Sequence, residues 1–337
     1  MTVTSKFECP GEELMKAILV EGAKLVWGET ERPALGAGQV RISVHASAVN
    51  RADLVQRTGG YPPPAGASSI LGLECSGVVT EIGDNVMRVK PGDRVCALLA
   101  GGGYAEEVVV PAGQVLKMPA NLSFVEAAAL PEVFATAYLN LYMEGGLQRG
   151  ERVLIHAGAS GVGTSAIQLC KSTFNPCFIT ASGQRKIDAC VALGADGGHD
   201  RASGSFVDAV QAWCGKDGVQ VVLDPVAASY FGDNLKVMSI DSRLVLIGMM
   251  GGAMVDANLG VILMKRVKVI GSTLRARSIA YKSSVMDGLQ RDVWPRIEDG
   301  SIKAIVEAVI PMQEAARAHD LIAGNDTIGK VVLELAR

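Results

Sequence analysis

The tract "RVLIHAGASGVGTSAIQLCK" passes from a short apolar strand into a turn holding Gly158, Gly161 and Gly163, and then into a helix-like pattern. Glycines at such a turn allow a tight bend and a close backbone approach. The N–H groups of the helix that follows point at whatever lies before them, and an anion suits that place. Gly158 serves the turn, Gly163 lets the helix approach the strand, and Gly161, next to Val162, keeps the loop open. Ser160 adds a hydroxyl where a pyrophosphate would lie. Because position 160 is Ser, the strict G-x-G-x-x-G fingerprint of dinucleotide sites is not met. A glycine turn that binds nothing shares these features, but the surrounding run of alternating strands and helices favours a dinucleotide.

The second strand of that run ends in "FITASGQRKID". An NAD site usually has an acid there, about 20 residues past the glycines, for the ribose 2′-OH. Here Ser182, Arg185 and Lys186 offer a hydroxyl and two cations instead, which suit a 2′-phosphate. The expected cofactor is therefore NADPH. The plain alternative makes Arg185 and Lys186 solvated residues of a first helical turn.

Those groups need a sheet to hold them. "RVLIHAG", "PCFITAS", "VQVVLDPV" and "RLVLIGMM" read as strands separated by "TSAIQLCK", "RKIDACVALGAD" and "FGDNLKVMS" as helices, which predicts a doubly wound parallel sheet. Before it, "MKAILV", "QVRISVHASAVN", "CSGVVTEIG", "GDRVCALL" and "YAEEVVVP" are short strands with tight turns, the habit of an antiparallel β domain. "LSFVEAAALPEVFATAYLNLY" has helical spacing. The tail reads helix ("GLQRDVWPRIEDGSI"), strand ("KAIVEAVIP"), helix ("MQEAARAHDLIAG") and strand ("GKVVLEL"), and is expected to rejoin the first domain. The fold class is α/β, with segments 1–137 and 276–337 forming a discontinuous β domain around a nucleotide-binding domain at 138–275.

With 337 residues, 49% of them hydrophobic and 5% aromatic, the chain can bury the core of a two-domain α/β protein. A net charge of −3 without basic blocks argues against nucleic acid as a partner. The seven cysteines, Cys9 among them, are scattered without a C-x-x-C pair, so neither a disulfide framework nor a zinc finger is expected. The first residues, "MTVTSKFECPGEEL", lack an apolar core, and no 18-residue apolar run follows. A cytoplasmic protein without membrane contact is the expectation.

Longer stretches carry a resemblance: "SAVNRADLVQRTGGYPPPAGASSILGLECSG", "VKPGDRVCALLAGGGYAEEVVVP", "AAALPEVFATAY", "RVLIHAGASGVGTSAIQL" and "GKVVLEL". Through them almost the whole chain resembles the zinc-independent quinone oxidoreductases of the medium-chain dehydrogenase/reductase superfamily, and most of all their tumour-suppressor-induced branch. The resemblance implies a GroES-like β domain assembled from both ends of the chain, an inserted Rossmann domain and an active site in the cleft between them. It also implies a homodimer joined at the Rossmann sheet edge through "VKVIGST". In the zinc-dependent alcohol dehydrogenases of the superfamily a Cys follows the early strand and a G-H-E motif comes later. Here Asn50 and Leu73 hold those positions, the four-Cys lobe is missing, and no metal is expected, because tetrahedral zinc takes three or four Cys, His or acid ligands.

By the same resemblance Asn50 contacts the nicotinamide ribose or the substrate, or else bonds its own turn. Tyr61 lines the acceptor pocket, or else packs on the prolines beside it. Thr136 contacts the nicotinamide amide, and Gly248, Met249 and Met250 form a strand-end loop facing the ring, unless the methionines are core filler. Arg275 and Asn325 lie near the cofactor. Arg201 stands where the branch has Tyr beside adenine, and as Arg it could stack there or strengthen 2′-phosphate binding. His45, His156, His199 and His319 form no relay with Ser or Cys and are expected to be structural. Without a metal to hold an alkoxide, the expected reaction is NADPH-dependent reduction of quinones, ortho-quinones among them, by hydride or electron transfer. The alternatives are a 2-alkenal or enone reductase, and an NADPH-binding crystallin-like or redox-sensing protein with little turnover.

Overall fold

The computed structural model describes residues 13–336. Cys9 and most of the N-terminal stretch read above lie outside them. The nucleotide half holds six parallel strands with Val153–Ile155 and Val219–Asp224 at the centre. Cys177–Ala181 and Gly197–Asp200 follow on one side, and Met238–Leu246 and Lys268–Gly271 on the other. Numbered along the chain, this is the order 3-2-1-4-5-6 of a Rossmann sheet, with its switch point beside Val153–Ile155. The inner strands are apolar on both faces, as a sheet covered by helices on both sides requires: all of Val153–Ile155 and Cys177–Ala181 is buried.

The other half is a GroES-like sheet, antiparallel except for the parallel pair Val306–Pro311 and Lys330–Glu334. Its strands lie in the order Val306–Pro311, Lys330–Glu334, Gln39–Ala48, Glu74–Ile82, Arg94–Leu98 and Val115–Lys117, with Glu107–Pro111 paired to Gln39–Ala48. Ile18, Val40, Ile42, Leu71, Val331 and Leu333 share its core, so residues near both ends of the chain meet in one sheet. The hairpin Leu14–Glu21 and Lys24–Glu31 is a separate two-stranded sheet that reaches this core through Ile18, Leu25 and Trp27.

"LSFVEAAALPEVFATAYLNLY" is not one helix. It forms Phe124–Ala128, Pro131–Tyr138 and a π-helical turn at Leu139–Glu144. Pro131 cannot continue a helix from the residue before it, but it suits a first helical position. The break starts a new helix at the cleft. Val133, Phe134 and Ala137 of that helix share a core with Ile155, Ala166 and Ile167. The tail helix Ile279–Asp292 joins the same core through Val285, Met286 and Leu289.

Candidate active site in the interdomain cleft

The glycine turn is built by close packing. A Cβ on Gly163 would stand 2.4 Å from the Gly158 carbonyl oxygen, and one on Gly158 would stand 2.6 Å from the Ile179 Cβ. Ser160 caps the helix Gly161–Ser172, its Oγ accepting from Gly163 N at 3.1 Å. The N–H groups of Gly161 and Val162 precede the point where intrahelical bonding begins, so they remain available to an anion. Behind the turn, buried His156 bridges Thr180 Oγ1 (2.9 Å) and Asn234 Oδ1 (2.7 Å), while Asn234 Nδ2 donates to Asp224 Oδ2 at 2.8 Å. Desolvation lowers the His156 pKa, so the ring is a neutral strut.

At the second strand end Lys186 Nζ donates to Ser182 Oγ at 3.2 Å and to the Asn325 carbonyl. Arg185 Nη2 donates to the Asp326 carbonyl at 2.5 Å. Arg51 Nη2 donates to Asn325 Oδ1 at 2.6 Å, and Asn325 holds a left-handed φ of 58°. The loop from the returning tail therefore sits on both cations. Arg201 is exposed, within electrostatic range of Lys186, which burial holds below the usual lysine range. Ser182, Arg185, Lys186 and Asn325 thus come together, with Arg201 within electrostatic range of Lys186.

On the facing side, Lys330 joins three partners: Glu74 Oε1 at 2.8 Å, Asn50 Oδ1 at 2.7 Å and the Val49 carbonyl at 2.8 Å. Asn50 Nδ2 donates to Glu74 Oε1 at 2.9 Å, and Glu74 Oε2 accepts from the Glu132 backbone N–H at 2.9 Å. The Lys330 side chain also runs along the glycine turn: a Cβ on Gly161 would stand 2.7 Å from its Cδ, and Gly329 N donates to the Ala159 carbonyl at 2.8 Å. One lysine side chain therefore connects the helix after the glycine turn, along its stem, with the Asn50 side of the cleft, at its ammonium.

Helix Pro131–Tyr138 is buried at every position except Glu132 and Thr136. Four residues apart, these two share the face turned to the cleft. The Glu132 carboxyl is pushed up to about 8, by desolvation first and then by Glu74. Across from it Arg275, buried and with its pKa lowered by desolvation, donates from Nε to the Ala100 carbonyl at 2.8 Å and from Nη1 to the Tyr61 carbonyl at 3.3 Å. Its guanidinium carbon lies 5.1 Å from the Tyr61 ring centroid, and its buried Nη2 has no partner among the described residues. Burial raises the Tyr61 hydroxyl, and buried Lys282 donates to the Arg275 carbonyl at 3.2 Å.

Asn50 does bond its own turn, its Nδ2 donating to the Ala48 carbonyl at 3.2 Å, and its amide also spans Glu74 and Lys330. Met249 and Met250 are not core filler, being 67% and 57% exposed. Their loop folds back on the end of the central strand, with Met250 N donating to the Pro225 carbonyl at 3.1 Å. Sequence reasoning passed over Glu74, Glu132, Lys282 and Lys330. An acid just after a helix-starting proline, four residues before Thr136, was the readable sign of Glu132. Among the described residues no group of three or more His, Cys, Asp or Glu is placed to hold a metal ion, and no helix is long and apolar enough to cross a membrane.

A two-domain chain with a Rossmann sheet, a GroES-like sheet and a polar cleft between them defines a class of nicotinamide-dependent oxidoreductase. Residues 36–120 match the alcohol dehydrogenase GroES-like domain and residues 161–290 the family called zinc-binding dehydrogenase. Mouse (Mus musculus) quinone oxidoreductase-like protein 2 is 32% identical over 302 residues, 89% of this chain and 86% of its own. The rat (Rattus norvegicus) quinone oxidoreductase is 28% identical over 333 residues, 96% of this chain and 99% of its own. The crystal structure of Escherichia coli quinone oxidoreductase complexed with NADPH superposes with a TM-score of 0.83 at 25% identity, covering 96% of this chain and all of that one. The chain belongs to the medium-chain dehydrogenase/reductase superfamily and is an oxidoreductase.

Proposed function

We propose that this chain reduces quinones with NADPH and without a metal ion. The observation that carries the reading is the state of position 50. Asn50 and Glu74 already share one ammonium, that of Lys330 at 2.7 and 2.8 Å, so their oxygens serve a fixed cation. A quinone suits such a site, because its reduced form spreads the negative charge over its own ring. Bound in the cleft, reduced nicotinamide supplies a hydride with its electron pair. Ser160 and the N–H groups of Gly161 and Val162 would hold the pyrophosphate, Ser182, Lys186, Arg185 and Arg201 the 2′-phosphate, and Thr136 with the 248–250 backbone the nicotinamide. Tyr61, over Arg275, would stack on a planar acceptor. The likeness to quinone oxidoreductases, one of them complexed with NADPH, supports the same reading.

Catalysis in this reading comes mainly from positioning and from excluding water. The pairing of two copies through the outer strand Lys268–Gly271 belongs to the proposal as well. That strand ends its sheet, and the neighbouring helix Leu259–Lys265 exposes Leu259, Leu263 and Met264. The test compares NADPH oxidation with an ortho-quinone, a para-quinone and a short enone. Turnover of the quinones is expected to exceed that of the enone. Enone turnover far above both quinones would make the chain an enone reductase, and tight NADPH binding with no turnover would make it a binding protein.

A further inference from the structure

The cleft contains an acid and a base-seeking donor that the proposed reaction has not yet used. Glu132 stands one turn before Thr136 on the open face of its helix, and its backbone is fixed by Glu74 Oε2 at 2.9 Å. Opposite it the Nη2 of Arg275 is buried without an acceptor among the described residues, while the other two guanidinium nitrogens are bound to carbonyls. A buried donor left unpaired is costly, and here it marks a place for a ligand oxygen beside the Tyr61 ring. We propose that Glu132 is the proton donor of the reaction and that Arg275 Nη2 holds the acceptor oxygen that receives the proton. This rests on the reading that the cleft reduces a conjugated carbonyl compound.

The step balances. The acceptor gains a hydride and its two electrons from the reduced nicotinamide cofactor, which is oxidised, and an acceptor oxygen becomes anionic. The O–H bond of Glu132 breaks and a new O–H bond forms on that oxygen. The resulting carboxylate regains a proton from water at its partly exposed end. Six charged or titratable groups act on Glu132 from the surrounding elements. Glu74 and Asp53 disfavour its ionisation, and Lys330 and Arg275 favour it. Tyr61 and Lys282 are within electrostatic range of it. Glu132 is consequently protonated near neutrality, its carboxyl titrating at about 8.

The test uses Glu132→Gln, which keeps the shape and removes the acid, and Arg275→Met. With NADPH and a para-quinone, E132Q is expected to lose about a hundredfold in kcat, with the KM for NADPH unchanged. The fall of wild-type kcat above pH of about 8 is expected to disappear. A second measurement needs no turnover: binding of 4-nitrophenol to the protein saturated with NADP+, followed against pH. Wild-type affinity should drop as Glu132 ionises, because two anions then share the site. E132Q should lack that drop, and R275M should bind weakly at every pH. Wild-type kcat in E132Q, or identical pH dependence of nitrophenol binding in both proteins, overturns the assignment. If the wild type reduces no quinone while nitrophenol binding still depends on Glu132, the quinone reading fails and the proton donor stands for another carbonyl acceptor.

Discussion

At Lys330 the two halves of the molecule meet in one side chain. Its stem lies along the glycine turn, the whole side chain is 4% exposed, and its ammonium is divided between Glu74, whose side chain is fully buried, and Asn50. Removing one partner of a buried ion pair leaves the other charge without compensation, at a cost of roughly 3–5 kcal/mol. Lys330→Met is therefore expected to lower stability by about that amount in denaturant titrations. Adding Glu74→Gln should recover part of the loss, and no recovery would mean the pair is not the source. Lys186 gives the second expectation at this scale. A charge-assisted hydrogen bond is worth about 1.5–3 kcal/mol, so Lys186→Met should weaken NADPH binding by about tenfold to a hundredfold in calorimetry. NADH binding should barely change. Equal losses for both cofactors would place Lys186 away from the 2′-phosphate.

Among the elements, the short helix Arg51–Arg57 shows how a site residue is held. Asp53 at its third position accepts from Asn50 N at 2.8 Å and from Gly72 N at 3.1 Å, and the Tyr104 hydroxyl links it at 3.1 Å to a contact of 3.3 Å with His319 Nε2. Burial acts on the two ends in opposite senses. It pushes the Asp53 carboxyl up to about 6 and His319 down to about 4. The folded state withholds a proton at His319 that the unfolded chain takes up below about 6.5, so this group's contribution to stability is lost as pH falls from about 6.5 to about 4. Asp53 works the other way: its contribution is present at low pH and is lost as pH rises through about 6. The two largely offset each other in mild acid. His319→Gln cannot take up that proton, so its melting temperature relative to wild type should rise as pH falls from about 6.5 to about 4. A difference independent of pH would show that His319 does not titrate in that range.

These elements also show what could be read beforehand. The strand and helix alternation, the glycine turn and the Ser182, Arg185 and Lys186 cluster all rest on local pattern, and local pattern was enough to place them. Glu132 was missed because the helical spacing of 122–142 hid the break that Pro131 makes, and that break turns its carboxyl to the cleft. Lys330 was missed for a different reason. It opens the apolar strand "GKVVLEL", 280 residues from Asn50, and only the tertiary return of the tail brings the two together. The methionine pair was ambiguous in sequence because exposure is a property of the fold.

On the scale of the whole molecule, the cleft is closed by contacts that depend on both halves. The loop around Asn325 and Asp326 lies on the cations expected to grip the cofactor, and Gly329 bonds the glycine turn directly. Cofactor and acceptor would thus enter a cleft whose walls already touch. The most direct measurement is the steady-state kcat/KM of chelator-treated protein for NADPH and for NADH, with one ortho-quinone as acceptor. We expect full activity after chelation and a preference for NADPH of at least about tenfold, the value of one charge-assisted contact to the extra phosphate. Activity restored only by zinc, or equal use of NADPH and NADH, would contradict metal-free quinone reduction by a cofactor held through its 2′-phosphate.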